Sequence, residues 1–171
     1  MTEQADALVV FGITGDLARR MTLPALYRLI EQGHLTCTVL AVGRRSLSRD
    51  EFEELIRDAV TDAVDEVEKG VLSKLIKCMT YVDGDVSDET LYDRIRDELG
   101  DAKAPVFYVA IPPAGFARVA EGIAGAGLVR NARLVVEKPF GTDLESAREL
   151  NRKLTAIFPE DQLYRIDHFL G

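Results

Sequence analysis

The run GITGDLA, Gly12 to Ala18, follows an apolar stretch and opens an amphipathic one. Glycines at 12 and 15 let the backbone turn sharply and approach a ligand closely, and the free amides at the start of a helix attract phosphate. A dinucleotide pyrophosphate suits such a site, although a Gly-x-x-Gly pair also serves as a plain strand-to-helix turn. Asp16 places a negative charge beside that phosphate, so it is expected to support the loop by capping the helix. A second cluster, VGRRS at 42–46, ends the next apolar stretch. An acid there would take the ribose 2′-hydroxyl of NAD, whereas arginine accommodates the extra phosphate of NADP. Arg44 and Arg45 stand at that position and Ser46 adds a hydroxyl, which makes NADP the expected cofactor. Arg45 is favoured for the phosphate, because one guanidinium can stack on adenine while a bidentate fork grips the anion. A pair of ordinary surface arginines is the plain alternative.

Three further clusters lie at later strand ends. AIPPAGF, 110–116, is stiffened by two prolines; Ala110 and Pro112 are candidate cofactor contacts, and the loop also reads as a rigid connection. VVEKPFG, 135–141, ends an apolar run in Lys138, which Pro139 pushes toward an extended conformation and across which a cis bond is conceivable. An ammonium there can hold a substrate hydroxyl beside the nicotinamide or stabilise oxygen charge as hydride leaves; a lysine in a surface turn is the alternative. YRIDHFLG, 164–171, sets Asp167 beside His168. Strand neighbours point opposite ways, so each of them must meet a different partner. The other histidine, His34, follows a helix end and reads as surface, leaving no convincing base for oxidising an alcohol.

These clusters need a scaffold that brings strand ends together. Short apolar runs at Ala7–Gly12, Thr38–Gly43, Met79–Val82, Val106–Ala110, Leu134–Val136 and Tyr164–Ile166 read as buried strands. Amphipathic stretches at Asp16–Gln32, Arg49–Val67 with a continuation to Lys77, Glu89–Leu99, Phe116–Ala126 and Leu144–Ile157 read as helices, with Gly33, Gly100 and Gly127 after three of them. The alternation predicts an α/β fold: a Rossmann-like, doubly wound, mostly parallel six-stranded sheet in three layers, ordered 3-2-1-4-5-6. Its ligand crevice opens at the carboxyl ends of the strands.

With 171 residues, 47% hydrophobic and 29% charged, one domain with a real core is expected over 1–171. A formal charge of -8 offers no field to hold nucleic acid, and the acidic stretch Asp50–Glu68 reads as a solvated helix face. Two cysteines, Cys37 and Cys78, predict neither a metal site nor a disulfide framework. No secretory pattern and no run of about 20 apolar residues is present, so a soluble cytoplasmic protein without membrane contact is expected.

Taken in order and spacing, GITGDLA, AIPP, EKPFG and RIDHFLG resemble the glucose-6-phosphate dehydrogenase family across essentially the whole chain. The resemblance implies an NADP-binding domain of an enzyme that oxidises glucose 6-phosphate at C1 to 6-phosphogluconolactone, opening the pentose phosphate pathway. It implies that Gly12, Thr14, Gly15 and Leu17 line the pyrophosphate, that Arg45 holds the 2′-phosphate, and that Lys138 contacts both sugar and cofactor. By the same likeness His168 binds the sugar phosphate, and Asp167 orients a catalytic histidine that lies further along, in a second α+β domain. On this reading the 171 residues are catalytically incomplete, and the homo-oligomer expected of full-length members is built mainly through that second domain. Phe116 replaces a tyrosine of some members, and Arg19 a common lysine. A stand-alone nucleotide-binding module, or the NADP domain of another sugar dehydrogenase, is the alternative reading.

Overall fold

A computed structural model describes residues 4–167 of the chain. Six strands form one sheet in which every pairing is parallel: β1 (Ala7–Phe11), β2 (Thr38–Gly43), β3 (Met79–Asp83), β4 (Pro105–Val109), β5 (Arg133–Glu137) and β6 (Leu163–Ile166), ordered β3-β2-β1-β4-β5-β6. Val10 lies between Ala41 and Tyr108 in register, and Phe11 between Val42 and Val109. The inner strands β1, β2 and β4 are buried on both faces and so read as nearly continuous hydrophobic runs, whereas the edge strands β3 and β6 carry exposed polar residues such as Thr80 and Arg165.

The sheet separates two cores. Helices α1 (Leu23–Glu31), α2 (Arg49–Ala63) and α3 (Lys69–Cys78) cover one face, where Tyr27, Phe52 and Leu75 close over Val10 and Ala41. Helices α4 (Glu89–Leu99), α5 (Phe116–Gly125) and α6 (Leu144–Ile157) cover the other, where Phe116, Ile123 and Phe158 meet Phe11, Phe107 and Val136. Between α4 and α5 the approach is so close that a Cβ at Gly122 would lie 2.1 Å from the Tyr92 ring.

Most strand ends differ from the sequence expectation by a single residue, and two helical stretches differ in more than that. The first helical stretch does begin at residue 16, but Ala18–Thr22 is a π turn, closed by a hydrogen bond from the Leu23 amide to the Ala18 carbonyl. The second ends at Ala63, where Val64 turns extended (φ -124°, ψ 119°) so that its side chain stays buried. A separate helix then resumes at Lys69, and the Glu68 amide between them donates to the Tyr27 hydroxyl at 2.8 Å. As expected, Gly33, Gly100 and Gly127 all take positive φ at helix ends, where a side chain would be strained.

Candidate functional site

All the clusters singled out in the sequence, as far as the structure describes them, fall at the carboxyl ends of the strands. One backbone bond beyond the sheet ties each of several loops down. The Gly12 amide donates to the Val42 carbonyl at 2.9 Å, Gly84 to Gly43 at 2.9 Å, Ala110 to Phe11 at 3.0 Å, and Lys138 to Ile166 at 3.3 Å. The site therefore stands on the sheet itself rather than on free loops.

A cleft of about 450 Å³ opens between the ends of β1, β2, β3 and β4. Gly12, Thr14 and Gly15 form one wall, Arg44 and Arg45 a second, and Ala110 and Pro112 a third. Gly12 has φ +85°, and a Cβ there would stand 2.2 Å from the Ala110 carbonyl oxygen, so the β1 and β4 loops touch at a point where only hydrogen fits. Gly15 differs. Its φ is not in the left-handed region, a Cβ would meet only the Gly12 carbonyl oxygen at 3.3 Å, and the residue is exposed. The amides of Gly12, Ile13 and Gly15 are engaged by backbone carbonyls, whereas those of Thr14, Asp16 and Leu17 have no backbone acceptor among the described residues. These last three are the donors left for an anion.

Asp16 does not cap the helix. It already lies inside the helical stretch, where a capping residue would have to be extended, and among the described residues its carboxylate accepts no amide. Ser46 is exposed and is not part of the cleft lining.

The end of β3 contributes residues to which the sequence reading gave no role. Gly84, Asp85 and Val86 line the cleft opposite Gly12. Hydrogen bonds from the Ser87 hydroxyl at 2.6 Å and the Ser87 amide at 2.9 Å, helped by the nearby Arg44 charge, hold the Asp85 carboxyl below its ordinary value. An ionised carboxylate thus shares the cleft with two guanidinium groups.

A second hollow, about 310 Å³, continues from Gly15 across Ala110 and Pro112 to the end of β5. Asp16 and Leu17 line one side; Phe116, Glu137 and Lys138 line the other. Glu137 is 4% exposed, while the Lys138 side chain reaches out and binds the Asp167 carboxylate at 2.6 Å. The register pairs Glu137 with Ile166, so the residue following each strand end meets its counterpart. The peptide bond between Lys138 and Pro139 is cis. Asp167 thus finds a partner other than its sequence neighbour; His168 lies outside the described residues. His34 is exposed in the connection from α1 to β2, at the amino ends of the strands and away from the clefts.

Two adjoining hollows joined through Gly15, with free amides, a rigid apolar proline wall and guanidinium groups at one end, fit an extended diphosphate ligand with a ring system at each end. The comparisons agree. The family described as "Glucose-6-phosphate dehydrogenase, NAD binding domain" matches residues 9–171, which makes a nicotinamide dinucleotide the ligand class. "Glucose-6-phosphate 1-dehydrogenase 1" of Mycobacterium tuberculosis is 44% identical over 98% of the chain and 36% of its own length. The "Glucose-6-phosphate 1-dehydrogenase" of Rhizobium meliloti is 40% identical over 95% of the chain and 35% of its own length. A crystal structure of the Mycobacterium avium enzyme superposes with a TM-score of 0.95 at 42% identity, covering 99% of this chain and 37% of that one. A glucose-6-phosphate dehydrogenase in complex with glucose 6-phosphate superposes with a TM-score of 0.84 at 31% identity, covering 100% of this chain and 38% of that one. The chain thus spans little more than a third of the length of these relatives. No helix among the described residues is long and apolar enough to cross a membrane.

Proposed function

Because the chain belongs to the glucose-6-phosphate dehydrogenase family, whose NAD-binding domain its residues 9–171 match, we propose that its strand-end clefts hold NADP and serve the oxidation of glucose 6-phosphate at C1 to 6-phosphogluconolactone. The observation that carries the cofactor choice is the shared cleft of Gly12, Thr14, Gly15, Arg44 and Arg45. An acid at the end of β2 would repel a 2′-phosphate; two guanidinium groups there attract it.

In this reading the bound nicotinamide supplies the hydride acceptor. Thr14, Asp16 and Leu17 offer their amides to the pyrophosphate, and Arg45 forks onto the 2′-phosphate while Arg44 stacks on the adenine. The Ala110–Pro112 wall, with Phe116 behind it, keeps water from one side of the second hollow. Lys138 directs its ammonium to the sugar hydroxyl, and its ion pair with Asp167 limits where that ammonium can go. Asp167 also has the role of orienting the histidine base, and His168 that of binding the sugar phosphate.

Titrating the chain with NADP and with NAD tests the reading. NADP is expected to bind more tightly, and equal affinities would overturn the arginine argument.

A further inference from the structure

Tyr81 sits on β3, one strand away from the arginines, and its side chain reaches them. Its ring stacks on that of Phe52, with centroids 4.8 Å apart and planes 26° apart, and Phe52 is fully buried in the core beneath α2. From this anchored ring the hydroxyl donates a 2.6 Å hydrogen bond to the Arg45 carbonyl. The space around that bond is filled. A Cβ on Gly43 would lie 2.7 Å from the Tyr81 hydroxyl and 3.0 Å from the Thr14 hydroxyl, so the tyrosine, the residue before the arginine pair and the phosphate loop pack against one another without slack.

Arginine side chains are long and rich in rotamers, and holding one over an anion loses entropy. A fixed peptide at its base reduces that loss, because the guanidinium then starts from one backbone position. We propose that Tyr81 is a positioning residue for selection of the phosphorylated dinucleotide: by fixing the Arg45 carbonyl to the packed sheet, it sets the place from which Arg45 reaches the 2′-phosphate. The inference rests on the reading of the arginine pair given above. Burial, with the Asp83 charge adding and the Arg45 charge opposing, pushes the Tyr81 hydroxyl up to about 12, so it stays protonated and able to donate throughout the neutral and moderately alkaline range.

The test compares Tyr81→Phe and Tyr81→Leu with the wild-type chain, measuring dissociation constants for NADP and NAD and the unfolding midpoint. Tyr81→Phe keeps the stack on Phe52 and loses only the hydrogen bond. It is expected to lower the midpoint by no more than the few degrees one neutral hydrogen bond is worth, and to weaken NADP about three- to tenfold while NAD affinity stays at the wild-type value. Tyr81→Leu, which also loses the stack, is expected to lower the midpoint and to weaken NADP at least as much. If Tyr81→Phe binds NADP as the wild type does, or weakens both dinucleotides equally, the positioning role is refuted. A wild-type chain that binds the two dinucleotides equally would instead remove the arginine reading, and this inference with it.

Discussion

Gly12 and Gly15 occupy one loop, and replacing each by alanine should produce opposite phenotypes. At Gly12, alanine must hold φ near +85°, which costs about 1–2 kcal/mol. Its methyl would also stand 2.2 Å from the Ala110 carbonyl oxygen and 2.9 Å from Ile111 Cγ2, forcing the β1 and β4 loops apart at a further cost of about 1–3 kcal/mol. Gly12→Ala should therefore lose about 2–5 kcal/mol of stability, which for a chain of this size lowers the unfolding midpoint by roughly 4–20 °C. At Gly15 the φ is ordinary and the single close contact is 3.3 Å, so the loss should stay within about 1 kcal/mol. Gly15 is, however, one of the residues shared by the two hollows, and a methyl there would stand in the path of the proposed dinucleotide. Gly15→Ala should weaken NADP at least about tenfold while unfolding close to the wild-type temperature. Thermal unfolding followed by circular dichroism, together with calorimetric titration of NADP, separates the two effects. Wild-type stability in Gly12→Ala, or wild-type affinity in Gly15→Ala, would refute the division of roles.

Arg45→Ala should weaken NADP by roughly 1.5–3 kcal/mol and leave NAD unaffected in the same titrations; loss seen instead in Arg44→Ala would transfer the phosphate contact to that residue. Gly122→Ala drives a methyl into the Tyr92 ring, whose hydroxyl is held by the Val86 carbonyl at 2.8 Å, and should lower stability in urea by about 1–3 kcal/mol despite alanine's better helix propensity. A neutral result would show that α4 and α5 part easily. Burial works to raise the Asp6 carboxyl, but amide hydrogen bonds from Lys103 at 2.6 Å and Ala104 at 3.0 Å outweigh it and hold the value below the ordinary one. A carboxyl lowered in the folded state adds stability above its unfolded value, and loses it as pH falls through the folded value. Unfolding midpoints should accordingly fall as the wild-type chain is acidified below about pH 4, with a shallower fall in Asp6→Asn; parallel curves would exclude this carboxylate as a source of the acid sensitivity.

The sheet order was legible because the inner strands are largely buried on both faces and so read as apolar runs, because the edge strands β3 and β6 still carry apolar residues, and because helix-end glycines mark the crossovers. The phosphate loop and the arginine pair were legible for a related reason: their residue types answer a chemical demand at a known place in such a sheet. Asp16 was misread because an acid at a helix start suggests a cap, while the actual beginning of the helical stretch depends on backbone angles that residue type does not reveal. The π turn likewise left no mark in the apolar spacing. Lys138 and Asp167 were each singled out, but their pairing follows from the β5 and β6 register, which brings residues 29 positions apart side by side. Tyr81 and Asp85 were passed over although β3 neighbours β2 in the expected order; the strand-end rule extended to that strand points to Asp85, whereas Tyr81 lies in mid-strand and its reach to the Arg45 carbonyl shows only in the structure.

The π turn at Ala18–Thr22 holds one more residue per turn than the helix that follows it. Losing a single residue there would return the segment to regular winding and leave the phosphate loop and the Leu23, Leu26 and Tyr27 side of α1 facing as they do now. The same loss inside α1 would rotate everything beyond it by about 100° and carry Tyr27 out of the core. Changes in chain length between the dinucleotide loop and the first helix therefore have one place where they can be absorbed, six residues downstream of a glycine that tolerates no side chain.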